Sequence, residues 1–224
     1  MTWYARATVG HRLLLAALLC ALIFSGRARA EFTVEVDSRG VLEGAVVVAR
    51  ALGGQQAERP MPEKLAMTQI NRQFEPFILA VPLNVPVEFP NRDSTAHHVY
   101  SFSPAGSFEL PLYKGETPAP ITFTQTGVVP LGCNIHDWMI GYIYVVDSPF
   151  YTQLANSAAR FDDLPGGDYE ISIWHPALEG PAAPTWRISV DGSSDRQTLT
   201  LDYPFVAVTR PEPPSERFDE QRDY

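Results

Sequence analysis

Twenty prolines, with glycines and asparagines that cut every apolar run short, leave the chain beyond residue 30 no helix-period segment longer than about two turns. A proline removes a main-chain donor and clashes inside a helix, so this sequence reads as all-β. What remains is alternation in short pieces. Residues 32–36 alternate and turn at 37–40, and 44–51 give a second strand. After a linker at 60–64 come 77–81 and 85–89, joined by Pro82-Leu83-Asn84, then 98–102, 121–123, 128–131 and 140–146. Six strands at this spacing predict a sandwich core of about 80 residues. Residues 102–113 read as a long loop beside it.

Composition breaks at 147–149. Beyond the break, 159–161, 169–174, 186–190 and 197–201 read as strands, with a turn at Leu164-Pro165-Gly166-Gly167-Asp168. These are too few for two layers, so they are expected to recruit 32–51. The predicted organisation is an accessory β-sandwich begun at 31–60, a larger sandwich at 61–147, the rest of the accessory sandwich at 148–208, and a proline-rich, charged, disordered tail at 209–224.

The first thirty residues read as a secretory signal: Arg6 and Arg12, an apolar run over 13–24, then Ala28-Arg29-Ala30. Twelve apolar residues rise only about 18 Å as a helix, short of the roughly 30 Å of a bilayer core, so no stable membrane insertion is expected. Leu19 before Cys20 argues against a lipid anchor. The expected location is periplasmic. Without this segment 194 residues remain, with 13 Lys and Arg against 26 acids, a net charge of −13 and one cysteine, Cys133. Such a charge disfavours nucleic acid and leaves a cationic protein as partner. Exported chains normally pair their cysteines, so a lone one is a bystander, a nucleophile or a metal ligand.

Its neighbours favour the metal. Gly132-Cys133-Asn134-Ile135-His136-Asp137-Trp138-Met139 sets a thiol, an imidazole and a thioether on one short loop between strands, and His97-His98 stands at the start of an upstream strand. A soft thiolate, two imidazoles and a weak thioether suit copper cycling between Cu(I) and Cu(II). Alternation along the strand lets only one of His97 and His98 face the ion.

Residues 66–147 resemble the cupredoxins, the blue copper proteins with a Greek-key β-sandwich. The Cys133-x-x-His136-x-x-Met139 spacing has the short amicyanin form, and Val85-Pro86-Val87-Glu88-Phe89 with Asn91 is similar to the family's strand and asparagine. The resemblance implies one copper ion held by His97, Cys133, His136 and Met139, with His98 as the alternative to His97. It also implies that Asn91 braces the two ligand loops, with Asn134 as a further hydrogen-bonding position. Asp137-Trp138 departs from the family's usual Pro-aromatic pair. The flanking segments 40–48 and 161–169 resemble a carboxypeptidase-regulatory or transthyretin-like sandwich, which implies no chemistry of its own.

The expected function is a periplasmic carrier of single electrons between a redox donor and acceptor, with a role in amine oxidation implied by the likeness to amicyanin. Electrons are expected to pass through the exposed edge of His136. It is not expected to be an enzyme. The alternative is a copper chaperone or store using the same ligands. A Cys-His hydrolase is disfavoured, because Cys133 and His136 share one loop with no orienting group beside them. His175 reads as an ordinary half-buried strand residue.

Overall fold

Residues 45–49 are all buried, which a strand with one wet face does not allow. The run is apolar on both faces because it has two cores to fill. Val47 and Ala49 point into one, and Val46 and Val48 into another.

The computed structural model describes residues 31–38, 40, 42–53, 59–180, 182–191 and 195–214. The expected export signal and the last ten residues of the tail lie outside this set. Every described element is a strand: β1 (Glu31–Ser38), β2 (Val46–Ala51), β3 (Leu65–Ala66), β4 (Thr68–Ile70), β5 (Gln73–Glu75), β6 (Ile78–Pro82), β7 (Pro86–Glu88), β8 (His97–Ser103), β9 (Gly106–Tyr113), β10 (Ile121–Thr122), β11 (Gly127–Cys133), β12 (His136–Val146), β13 (Phe150–Gln153), β14 (Ala158–Asp162), β15 (Gly167–Trp174), β16 (Thr185–Val190) and β17 (Asp195–Leu201). No helix among the described residues is long and apolar enough to cross a membrane.

A five-stranded sheet in the order β6-β12-β11-β8-β9 faces the smaller sheet β10-β7-β3 and the β4-β5 hairpin. The core between them holds Met67, Phe74, Val87, Phe89, Val99, Phe123, Val129 and Ile143. Strand β12 supplies the alternation that divides this core from the outside, with Met139, Gly141, Ile143 and Val145 buried and Tyr142 and Tyr144 on the opposite face. A second pair of sheets, β14-β1-β17 and β13-β2-β15-β16, encloses Phe32, Val34, Phe161, Ile171, Ile173 and Leu199. Strands β1 and β2 therefore pair with strands more than a hundred residues downstream, across the intervening sandwich. The seam between the two sandwiches is the third apolar cluster: Val46 and Val48 of β2 against Ile78, Ala80 and Val146, flanked by Tyr142, Tyr144 and Trp174.

Two sequence expectations change. Residues 106–113 form edge strand β9, paired with β8, where a loop was expected. Leu110 is buried, and the Phe108 ring lies 5.3 Å from Phe89 and 6.1 Å from Phe123 between centroids. Pro111 hides this strand from a pattern reading, yet it is tolerated at an edge where the register shifts between His97 and Val99. Strands β6 and β7, adjacent in sequence, do not pair with each other; the link at Pro82-Leu83-Asn84 carries the chain from one sheet to the other, with Asn84 at φ 65°. The start of the tail is also held down. Arg210 pairs with Glu75 at 3.0 Å and donates to the Phe74 carbonyl, and Gln73 Nε2 donates to the Pro211 carbonyl at 2.9 Å.

Candidate metal centre

One strand irregularity and one regular alternation build the site. Strands β11 and β12 form a hairpin whose register shifts between Gly132 and Cys133, so that Cys133 sits opposite His136 across a two-residue turn. A bulge of this kind re-aims a side chain. Here both Cys133 and His136 turn inward, at 4% and 1% exposure. The third side chain comes from the start of β8, where alternation sends His97 and Val99 inward and His98 outward. Backbone pairing of Gly132 with Tyr100 and Cys133 with Val99 brings β8 beside the hairpin.

The structure gathers His97, Cys133 and His136 into one fully buried group. His97 Nδ1 is 3.2 Å from His136 Nδ1 and 3.7 Å from Cys133 Sγ, and Cys133 Sγ is 3.5 Å from His136 Nδ1. The point equidistant from the three atoms lies about 2.0 Å from each, the length of a transition-metal bond to nitrogen and slightly under that to sulfur. Two imidazole nitrogens and one sulfur at the corners of a triangle of this size fit a trigonal metal ion. Met139, three residues beyond His136, is 1% exposed and packs in the same core.

His98 is not part of the group. Its Nε2 lies 2.8 Å from Glu109 Oε1, and its ring is 5.9 Å from that of Tyr100 on the outer face of the sheet. Asn91 Nδ2 donates to the carbonyls of Thr95 at 2.9 Å and Tyr113 at 3.1 Å, and Asn91 Oδ1 accepts from the Asp93 N–H at 2.9 Å. These bonds brace the loop leading to His97 and tie it to β9. The link to the cysteine loop comes from the main chain of Asn134, whose N–H donates to the His98 carbonyl at 3.3 Å.

Asp93, which no sequence motif singles out, places its Oδ2 2.8 Å from His97 Nε2. The spacing i, i+4 from His97 was visible, but only the curl of the loop brings the two together. His136 departs from expectation as well. Its ring edge is enclosed, with Trp138 packed against it at 5.1 Å between centroids and 54° between planes.

Burial sets the electrostatics. It pushes the Cys133 thiol up, against the opposing pull of the main-chain N–H groups of His98, Ile135 and His136. It holds His97 below the ordinary imidazole value, with Asp93 acting the other way. His136 is pushed down to about 4 by burial, then by the neighbouring His97 and Arg72. Both imidazoles are thus neutral near pH 7, the form in which they ligate a metal. His175, in the second sandwich, is also buried and lowered. It accepts the Ala177 N–H at Nδ1 at 3.1 Å and bonds to the Glu43 main chain, a structural tie far from the metal group.

Among solved structures, the chain is similar to a Cu-containing nitrite reductase (NirK) from Thermus scotoductus SA-01, at 27% identity over 44% of this chain and 25% of that one, with a TM-score of 0.35. It is similar to a mutant of amicyanin in its reduced Cu(I) form, at 20% identity over 44% of this chain and 98% of that one, TM-score 0.35. A purple cupredoxin from Nitrosopumilus maritimus aligns at 23% identity over 37% of this chain and 99% of that one, TM-score 0.32. The chain spans about a quarter of the nitrite reductase and nearly the whole of the other two. No protein-family model and no curated protein sequence matches it.

Proposed function

We propose that the chain is a type 1 copper protein that carries single electrons in the periplasm. The observation that carries this reading is the buried His97, Cys133 and His136 triangle, whose donor atoms stand 3.2 to 3.7 Å apart. Copper bound there would supply one-electron chemistry between Cu(II) and Cu(I). The side chains do the rest. Cys133 gives up its thiol proton and offers a thiolate, while His97 and His136 present neutral Nδ1 lone pairs. Met139, buried in the same core, would offer copper a further, weaker sulfur donor. Two strand hairpins fix the three strong donors before the metal arrives, and the apolar core around them excludes water.

With His136 enclosed, the ring of Trp138 is the aromatic bridge from the site toward the surface. The donor and acceptor are read as redox proteins with basic contact faces, from the acid excess, and amine oxidation is the setting the amicyanin likeness implies.

The test is the visible and EPR spectrum of the copper-loaded chain without residues 1–30. Intense visible absorption that disappears in Cys133→Ser is expected. Colour that survives Cys133→Ser sinks the proposal, and a colourless site that takes only Cu(I) assigns copper handling instead.

A further inference from the structure

Asp93 is enclosed by three hydrogen-bonding partners. Its Oδ1 accepts the Asn71 N–H at 2.6 Å, its Oδ2 accepts the Arg72 N–H at 2.9 Å, and Oδ2 also lies 2.8 Å from His97 Nε2. Asn71 and Arg72 are the two central residues of the turn between β4 and β5, at φ 56° and 54°. Both conformations are left-handed, as a two-residue hairpin of the primed type requires, and that geometry aims both N–H groups at one carboxylate. The Asp93 side chain is only 11% exposed.

A carboxylate that already takes two main-chain N–H groups can only accept from a third partner. His97 must therefore carry its hydrogen on Nε2. A neutral ring with the hydrogen there has a bare lone pair on Nδ1, the atom that faces Cys133 Sγ and His136 Nδ1. The carboxylate also fixes the rotation of the ring, because its own position is set from two sides: by the β4-β5 turn and by the Asn91 bond to its main-chain N–H.

We propose that Asp93 is the positioning residue of the metal centre, selecting the tautomer and orientation of His97 and coupling both to the β4-β5 hairpin. The proposal rests on the copper reading for its functional meaning and on the hydrogen-bond geometry for its structural content. A carboxylate behind a histidine ligand raises the ligand's basicity, and its negative charge favours the more positive oxidation state of the ion. Removing it weakens copper binding and raises the Cu(II)/Cu(I) midpoint potential.

The experiment has two arms. In the metal-free wild-type chain at pH 8, nitrogen-15 NMR of the histidine rings reads the tautomer, and His97 is expected as Nε2–H. In the copper-loaded protein, Asp93→Asn is expected to lose about 10- to 100-fold in copper affinity with an upward shift of potential, and Asp93→Glu to recover part of both. A hydrogen on His97 Nδ1 in the wild type overturns the proposal. So does an Asp93→Asn protein that melts earlier but keeps its affinity and potential, since the carboxylate would then only anchor the turn. If Asp93→Asn does not fold, the wild-type tautomer decides alone. A wild type that binds no copper defeats the proposed function, while the tautomer still decides the role of Asp93.

Discussion

The Tyr144 ring stacks on that of Trp174 with 2° between planes and 4.9 Å between centroids. One residue belongs to β12, which also begins at His136, and the other to β15 of the second sandwich. Tyr142 meets the same indole edge-on at 5.8 Å. The seam is thus an aromatic contact continuous with the strand that holds the metal group.

Trp174→Ala removes that contact and leaves Val46, Val48 and the two tyrosines facing a void. Truncating a large, partly buried aromatic costs about 2–4 kcal/mol. The expected result is a lower urea midpoint with partial recovery in Trp174→Phe. A loss under about 1 kcal/mol would show that the aliphatic contacts of Val46 and Val48 with Ile78, Ala80 and Val146 hold the seam without the indole.

Gly132 has no room for a side chain. A Cβ there would lie 2.9 Å from the Tyr100 ring carbon and hydroxyl, immediately before Cys133. Gly132→Ala should cost about 1–3 kcal/mol by forcing the ring aside. The double variant with Tyr100→Ala should cost less than the sum of the two single changes. Additive losses in thermal melts would locate the strain elsewhere.

Copper loading should release protons in a number set by burial. The Cys133 thiol is pushed up and is protonated at neutral pH, whereas His97 is lowered and His136 is pushed down to about 4, so both imidazoles are already bare. Calorimetry of copper uptake in buffers of different ionisation enthalpy at pH 7 should report about one proton released. Over that range apparent affinity should weaken about tenfold per unit fall in pH. Two or more protons would mean that an imidazole is charged in the metal-free protein.

His175 gives the copper-loaded protein an acid sensitivity away from the metal. Its pKa is lowered in the folded state, chiefly by burial, so it binds its proton more readily when unfolded. Its contribution to stability is complete above the unfolded value near 6.5 and is lost as pH falls through the folded value. Denaturation midpoints should decline below about pH 6.5. His175→Asn, whose amide oxygen can accept the Ala177 N–H, should flatten that decline. An unchanged pH profile in the variant would remove His175 as its cause.

Much of the fold is local chemistry and was legible as such. The proline-broken alternation shows the all-β class, and the thiol, imidazole and thioether of Cys133, His136 and Met139 stand within one loop. Strand β9 was hidden because Pro111 breaks the pattern, and its place at a sheet edge is what makes the proline acceptable. The short β4-β5 hairpin carries too few apolar residues to announce itself, although Phe74 is completely buried.

The sequence by itself determined the candidate donor types, the short loop that carries two of the close donors, and the two-sided apolar run in β2, since each depends on neighbours in the chain. Tertiary structure decided which of His97 and His98 joins the group, that Asp93 stands behind it, and that Trp138 covers His136. The choice between His97 and His98 depends on register between strands far apart in sequence. A one-residue shift exchanges the inward and outward faces, and no local pattern fixes that choice.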